Sequence, residues 1–151
     1  MAGRVSRRAK VGRTIRRSEA GALPDFIPPQ LTALTETAPE GGEWVHELKW
    51  DGYRMHARID KGSLRLLTRT GLDWTDKYPA IAGALRRLRV KNAYLDGELC
   101  ALSDAGLTSF SAMQAATDAR STEGLVLVLF DLLFLDGEDL TGEPLREEGR
   151  P

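Results

Sequence analysis

The stretch Tyr53-Arg54-Met55-His56-Ala57-Arg58-Ile59-Asp60-Lys61-Gly62-Ser63-Leu64-Arg65-Leu66-Leu67-Thr68 decides how the rest of the chain is read. Over residues 53–60, Tyr53, Met55, Ala57 and Ile59 alternate with Arg54, His56, Arg58 and Asp60. A period of two marks a strand with one face on a core and the other toward water. The apolar set is expected inward and the polar set outward. Lys61-Gly62 reads as a hairpin turn, and residues 63–68 as the returning strand.

Working outward, residues 43–50 read as a preceding strand, so that the three strands form an antiparallel meander with Lys49 at one end. Gly41-Gly42 is a turn, residues 30–37 a short helix stopping before Pro39, and Pro24, Pro28 and Pro29 an extended entry. Downstream, residues 68–71 form a loop. Tyr78, Ile81, Leu85 and Leu88 recur at helical spacing and predict a helix over 76–88, with Pro79 tolerated in its first turn. A strand broken by Gly97 is expected over 92–102, a turn over 103–106 and a short helix over 108–116. Residues 125–135, apolar apart from Asp131, read as a strand buried on both faces. Residues 136–139 are expected to be a loop. The class implied is α+β, with largely antiparallel sheets and flanking helices.

The 151 residues suit one domain, and 42% hydrophobic with 28% charged residues is ordinary for a globular protein. A net charge of −1 hides an asymmetry: residues 1–17 carry seven Lys/Arg and no acid, leaving 14 basic against 22 acidic residues in the remainder. Residues 1–22 are read as a basic, disordered tail or linker and 23–151 as the folded part. The default for such a tail is a solvated segment rather than a specific DNA contact. Cys100 is the single cysteine, which excludes an internal disulfide and a cysteine-rich metal site and fits a reducing cytoplasm. No apolar run is long enough to span a bilayer, and the basic N-terminus lacks the apolar segment of a secretory signal.

Directly before the hairpin stands Glu47-Leu48-Lys49-Trp50-Asp51-Gly52-Tyr53-Arg54. Extended, it puts Glu47, Lys49 and Asp51 on one face. A lysine between two carboxylates, with Gly52 admitting a ligand close to the backbone, is a candidate covalent nucleophile. A free lysine amine is protonated at neutral pH and must lose a proton to attack. The flanking acids oppose that loss, and a divalent cation would neutralise them. On spacing alone, an exposed lysine paired with Glu47 is the default.

Four motifs in order change that reading. Lys49-Trp50-Asp51-Gly52 resembles the Lys-x-Asp-Gly signature of nucleotidyltransferases that carry a nucleotide on lysine. Leu67-Thr68-Arg69-Thr70-Gly71, Leu95-Asp96-Gly97-Glu98 and Val128-Leu129-Phe130-Asp131-Leu132-Leu133 resemble the motifs that follow it in ATP-dependent DNA ligases. With their flanks they look like the ligase module of bacterial DNA ligase D, over about residues 24–146. The resemblance implies the N-terminal part of an ATP-grasp-like adenylation domain. It implies Lys49 as the adenylated nucleophile, Arg54 and Arg69 as nucleotide or phosphate contacts, Glu98 at the ribose, Phe130 on the purine and Glu47 facing the adenine. It also implies ATP with magnesium or manganese, and nicked or broken duplex DNA as substrate. Fused polymerase and nuclease domains are among the implied partners.

The chain departs from the family in one respect. The later Glu-Gly-hydrophobic-Val-hydrophobic-Lys motif, the two-lysine motif and the OB-fold domain are absent. Glu123-Gly124-Leu125-Val126-Leu127-Val128 has valine where the lysine belongs, and it precedes rather than follows the Phe130 motif. A truncated or split product, weak or inactive alone unless a second chain completes it, is therefore expected. The alternatives are an RNA ligase or capping-type guanylyltransferase, or an inactive remnant that binds nucleic acid through its tail. His46, His56, Cys100 and the three tryptophans are assigned structural roles. Arg86, Arg87 and Arg89 are assigned to a solvated face.

Overall fold

The computed structural model describes residues 4–5, 21–31, 36–37, 46–103, 105–119, 121–122 and 124–143. Its strands are β1 (Arg4–Val5), β2 (His46–Glu47), β3 (Tyr53–Asp60), β4 (Ser63–Thr68), β5 (Asn92–Ala101), β6 (Leu125–Leu135) and β7 (Glu138–Asp139). Its helices are α1 (Pro79–Leu85) and α2 (Phe110–Asp118), with a 3-10 turn at Thr75–Lys77. The main sheet has the order β4-β3-β5-β6-β7, and every pairing is antiparallel. The α+β reading holds.

The β3–β4 hairpin forms as its sequence dictates. Lys61 (φ 49°) and Gly62 (φ 87°) both take the left-handed conformation of a two-residue mirror turn. The expected meander does not form. β2 pairs with β1, and the second neighbour of β3 is β5. Residues 48–50, expected in a strand, lie outside one, and Leu48 is 73% exposed, so the apolar alternation there has no core to cover. Half of the helix read over 30–37, residues 32–35, and the turn at Gly41-Gly42 fall outside the described residues; the described ends, 30–31 and 36–37, are not helical.

One sheet face carries the core. Met55, Ala57 and Ile59 of β3, Leu64 and Leu66 of β4, and Leu99 and Ala101 of β5 pack under Ala82 and Leu85 of α1 and Met113 of α2. The helix expected over 76–88 begins only at Pro79 and ends at Leu85. A proline forces the residue before it out of the helical region, and Tyr78 sits at φ −128°, ψ 63°. The helix expected over 108–116 runs two residues later, because the Ser109 hydroxyl accepts the Ala112 N–H at 3.2 Å as its N-cap.

The opposite face is polar and half-covered. The entry segment crosses it, with Leu23 and Ile27 against Tyr94, Leu133 and Phe134. Arg58 holds the segment by donating to the Pro24 carbonyl at 2.8 Å. His56, expected outward, is on this face yet fully buried, because Phe26 stacks on it at 5.8 Å and Tyr94 packs edge-on at 5.3 Å.

Two further expectations change. β5 is continuous through Gly97; a Cβ there would come 2.5 Å from the Val128 carbonyl oxygen, so the glycine lets β6 approach rather than breaking the strand. β6 is not buried on both faces: Leu129 is 37% exposed, and among the described residues β7 covers its outer edge only at Phe134 and Leu135. Residues 138–139, expected in a loop, are that short edge strand.

Candidate functional site

The segment carrying Lys49 is anchored by Gly52, whose N–H donates to Glu98 Oε1 at 3.1 Å. A Cβ on Gly52 would penetrate the Leu99 carbonyl oxygen and lie 2.8 Å from its carbon and 3.0 Å from Cys100 Sγ. The glycine is therefore required by the neighbouring strand, whereas the sequence suggested a ligand. Beyond this anchor, Lys49 forms an ion pair with Asp51, not Glu47, and the two side chains remain 47% and 55% exposed. The amine stands in water at the rim, fixed by its backbone.

β6 supplies the aromatic wall. Gly97 pairs with Leu129 and Asp96 with Asp131, so Phe130 is the extra residue of a bulge. Bulges re-aim a side chain relative to its strand. Here Phe130 meets Arg54, whose guanidinium carbon lies 4.6 Å from its ring centroid. A cleft of about 240 Å³ is lined by Glu47, Leu48, Lys49, Trp50, Glu98 and Phe130. A second of about 300 Å³ lies where β3 begins and β4 ends, and it brings together Arg54, Arg69, Tyr53, Trp74 and Glu98. Glu98 borders both.

All six site residues named from the sequence thus line one cleft or the other. Arg69 is exposed on a tight loop closed by Gly71 N–H to Thr68 O at 2.8 Å and by Leu72 N–H to Thr68 Oγ1 at 3.1 Å. Gly71 takes φ 84° there, a conformation open to glycine. Arg54 differs from expectation in its surroundings. Its Nε donates to Asp96 Oδ1 at 2.6 Å and its Nη2 to Asp96 Oδ2 at 2.5 Å, with the side chains only 15% and 4% exposed. Such a two-pronged pair fixes the guanidinium plane.

Asp96 was quoted in the sequence motif but given no role, although strand alternation places it on the face of Glu98. Burial alone would raise its carboxyl; contact with His56 and Arg54 outweighs burial and holds it below the ordinary aspartate value. His56 Nε2 lies 3.2 Å from Asp96 Oδ1, off the line of a good hydrogen bond. Cys100 lies under the site. Burial first, then the negative charges of Glu98 and Asp51, push its thiol up to about 11.

Among the described residues, no group of three His, Cys, Asp or Glu side chains is arranged to hold a metal ion, and no helix is long and apolar enough to cross a membrane.

Residues 29–150 match the family model for the ATP dependent DNA ligase domain. The multifunctional non-homologous end joining protein LigD of Pseudomonas aeruginosa is 44% identical over 138 residues, covering 89% of this chain and 16% of that protein. A DNA ligase of Pyrobaculum calidifontis is 32% identical over 158 residues, covering 95% of this chain and 27% of its own length. Two solved structures share the fold, each over 67% of this chain and 33% of theirs, with a TM-score of 0.57. They are the ligase domain of M. tuberculosis LigD at 38% identity and a mycobacterial DNA ligase D complexed with ATP and MES at 36%. The chain thus spans less than a third of the curated relatives it matches. In sequence, fold and the order of its motif residues, the chain belongs to the ATP-dependent DNA ligase family.

Proposed function

We propose that the chain carries the lysine-adenylating chemistry of an ATP-dependent DNA ligase that seals breaks in duplex DNA. The observation that carries this reading is the convergence of Lys49, Glu47, Glu98 and Phe130 on one cleft, with Arg69 exposed in the adjoining one. Phe130 offers a stacking ring for the purine, Glu47 faces the adenine edge, and Glu98 faces the ribose. Arg69 is open to a phosphate. Arg54, tied to Asp96, acts through its fixed charge over Phe130.

The chemistry is phosphoryl transfer, in which positioning and charge stabilisation dominate. Lys49 Nζ attacks the α-phosphorus of ATP. A nitrogen–phosphorus bond forms as the bond to pyrophosphate breaks. AMP then passes to a 5′-phosphate, and the adjacent 3′-hydroxyl displaces it. Lys49 is held at the cleft by its ion pair with Asp51. Magnesium or manganese, bound with the nucleotide's phosphates as small divalent ions commonly are, would offset the charge developing there.

The LigD relatives are named as multifunctional and as end-joining proteins. By analogy the proposed setting is double-strand-break joining, beside polymerase and nuclease functions. The test is incubation of the whole chain with α-labelled ATP and magnesium. Label stable on the wild type and absent from Lys49→Ala supports the proposal; label on neither defeats it. Replacing ATP with GTP separates a DNA ligase from a capping-type enzyme.

A further inference from the structure

His56 is fully buried on the polar sheet face, between two elements that the adenylation chemistry does not obviously connect. Its Nδ1 is 2.9 Å from the Tyr94 hydroxyl, which accepts the Ile27 N–H at 3.1 Å. With that lone pair engaged, the single Tyr94 proton is available for Nδ1. When the hydroxyl donates to Nδ1, the ring N–H left to face outward is at Nε2. That nitrogen faces Asp96 Oδ1, the oxygen that also takes Arg54 Nε. Arg54 in turn lies over Phe130.

A polar relay therefore runs from the entry segment through Tyr94, His56, Asp96 and Arg54 to the aromatic wall of the Lys49 cleft. Its one loose joint is informative. Among the described residues, His56 Nε2 is the buried side-chain polar atom without a hydrogen bond of good geometry. Leaving such a donor unsatisfied is costly, so burying one needs a reason. Once drawn onto that nitrogen, the Asp96 carboxylate would be shared between a ring N–H and an arginine fork and could not rotate without breaking both contacts. The imidazole is itself held by the Phe26 ring and the Tyr94 hydroxyl.

We propose that His56 is a positioning residue: it clamps the Asp96 carboxylate so that Arg54 holds Phe130 at the orientation the nucleotide requires. This rests on the adenylation reading above. Tyr94 and the entry segment are the outer supports of the same clamp. Occupation of the cleft draws Asp96 onto Nε2, as hydrogen bonds in unloaded sites commonly tighten on binding.

The experiment uses the whole chain with His56→Phe, which keeps a ring and removes both nitrogens, and His56→Gln, which keeps a donor near the Nε2 position. Labelling of Lys49 is followed against ATP concentration. His56→Phe is expected to raise the ATP concentration for half-maximal labelling about tenfold, the worth of one charge-assisted hydrogen bond. Its maximal rate is expected to stay within about twofold, and His56→Gln to recover most of the shift. A purely structural role would lower the melting temperature of both variants with no rescue by glutamine, and that result overturns the proposal. Should the wild type take no label, the adenylation reading fails on its own account. The clamp is then judged by the Arg54 Nε–H resonance of the ¹⁵N-labelled chain. Loss or displacement in His56→Phe and retention in His56→Gln support the clamp; an unchanged resonance in both refutes it.

Discussion

Substituting alanine for Gly52 separates two explanations of the glycine in the Lys-x-Asp-Gly motif. If it exists to admit a nucleotide, the unliganded chain should tolerate a methyl group. The geometry argues otherwise, since that methyl would overlap the Leu99 carbonyl and crowd Cys100 Sγ at 3.0 Å. Leu99 pairs with Tyr53 on one side and Leu127 on the other, so its carbonyl cannot retreat. The Lys49 segment must move instead, breaking the bond from Gly52 N–H to Glu98. Overpacking of this kind costs about 1–3 kcal/mol. Loss of a part-buried hydrogen bond adds about 1 kcal/mol. The expected destabilisation is about 2–4 kcal/mol, a large share of the roughly 5–15 kcal/mol that holds a domain together. With a urea slope of about 2 kcal/mol per molar, the unfolding midpoint should fall by about 1–2 M without ATP. Cys100 should also alkylate faster as the segment lifts away. A midpoint unchanged within about 0.2 M and unaltered thiol reactivity would refute the packing argument.

Three further outcomes follow from the same geometry. Removing either partner of the Arg54–Asp96 pair (Arg54→Met or Asp96→Asn) should cost about 3–5 kcal/mol in urea unfolding. The double variant should lose much less than the sum of the single losses. In the wild type, Cys100 should resist iodoacetamide at neutral pH, since its thiol is buried and raised to about 11; stoichiometric alkylation of the folded chain would contradict this. Stability should be flat in the middle of the pH range and fall at both ends. The depressed Asp96 contributes stability that is present above about pH 4 and lost as pH falls through its folded value, so Asp96→Asn should blunt the acid limb. Cys100, Tyr78 and Tyr94, all raised by burial, contribute stability that is present below their ordinary values and lost as pH rises through the folded ones.

The hairpin was legible because its causes are local: alternation and a Lys-Gly turn. Helical spacing located both helices but not their starts, which are set by the proline constraint on Tyr78 and by the Ser109 cap. What the sequence could not show was set by distant partners. His56 looked like an outward residue because Tyr94, 38 positions on, and the Phe26 ring that bury it leave no mark on its neighbours. β6 looked doubly buried because an apolar run does not say which neighbours cover it. Strict alternation also fails along that strand, whose pairing with β5 shifts register opposite Asp96/Gly97 and again opposite Tyr94/Leu95. The six candidate site residues were named from motif order rather than from periodicity, and all of them border the two clefts. The role of Gly52 was misjudged because the motif cannot reveal that its tight neighbour is backbone.

The order of strands in the main sheet carries a consequence for how the chain matures. β3 and β4 are joined by two residues and can zip within microseconds, whereas β6 must find β5 across an intervening helix. Phe130 and its bulge belong to that slow, long-range step. Nucleotide capture should therefore be acquired late in folding and surrendered early on warming. Peeling of β6, ahead of general melting, would then set the upper temperature at which the cleft still works.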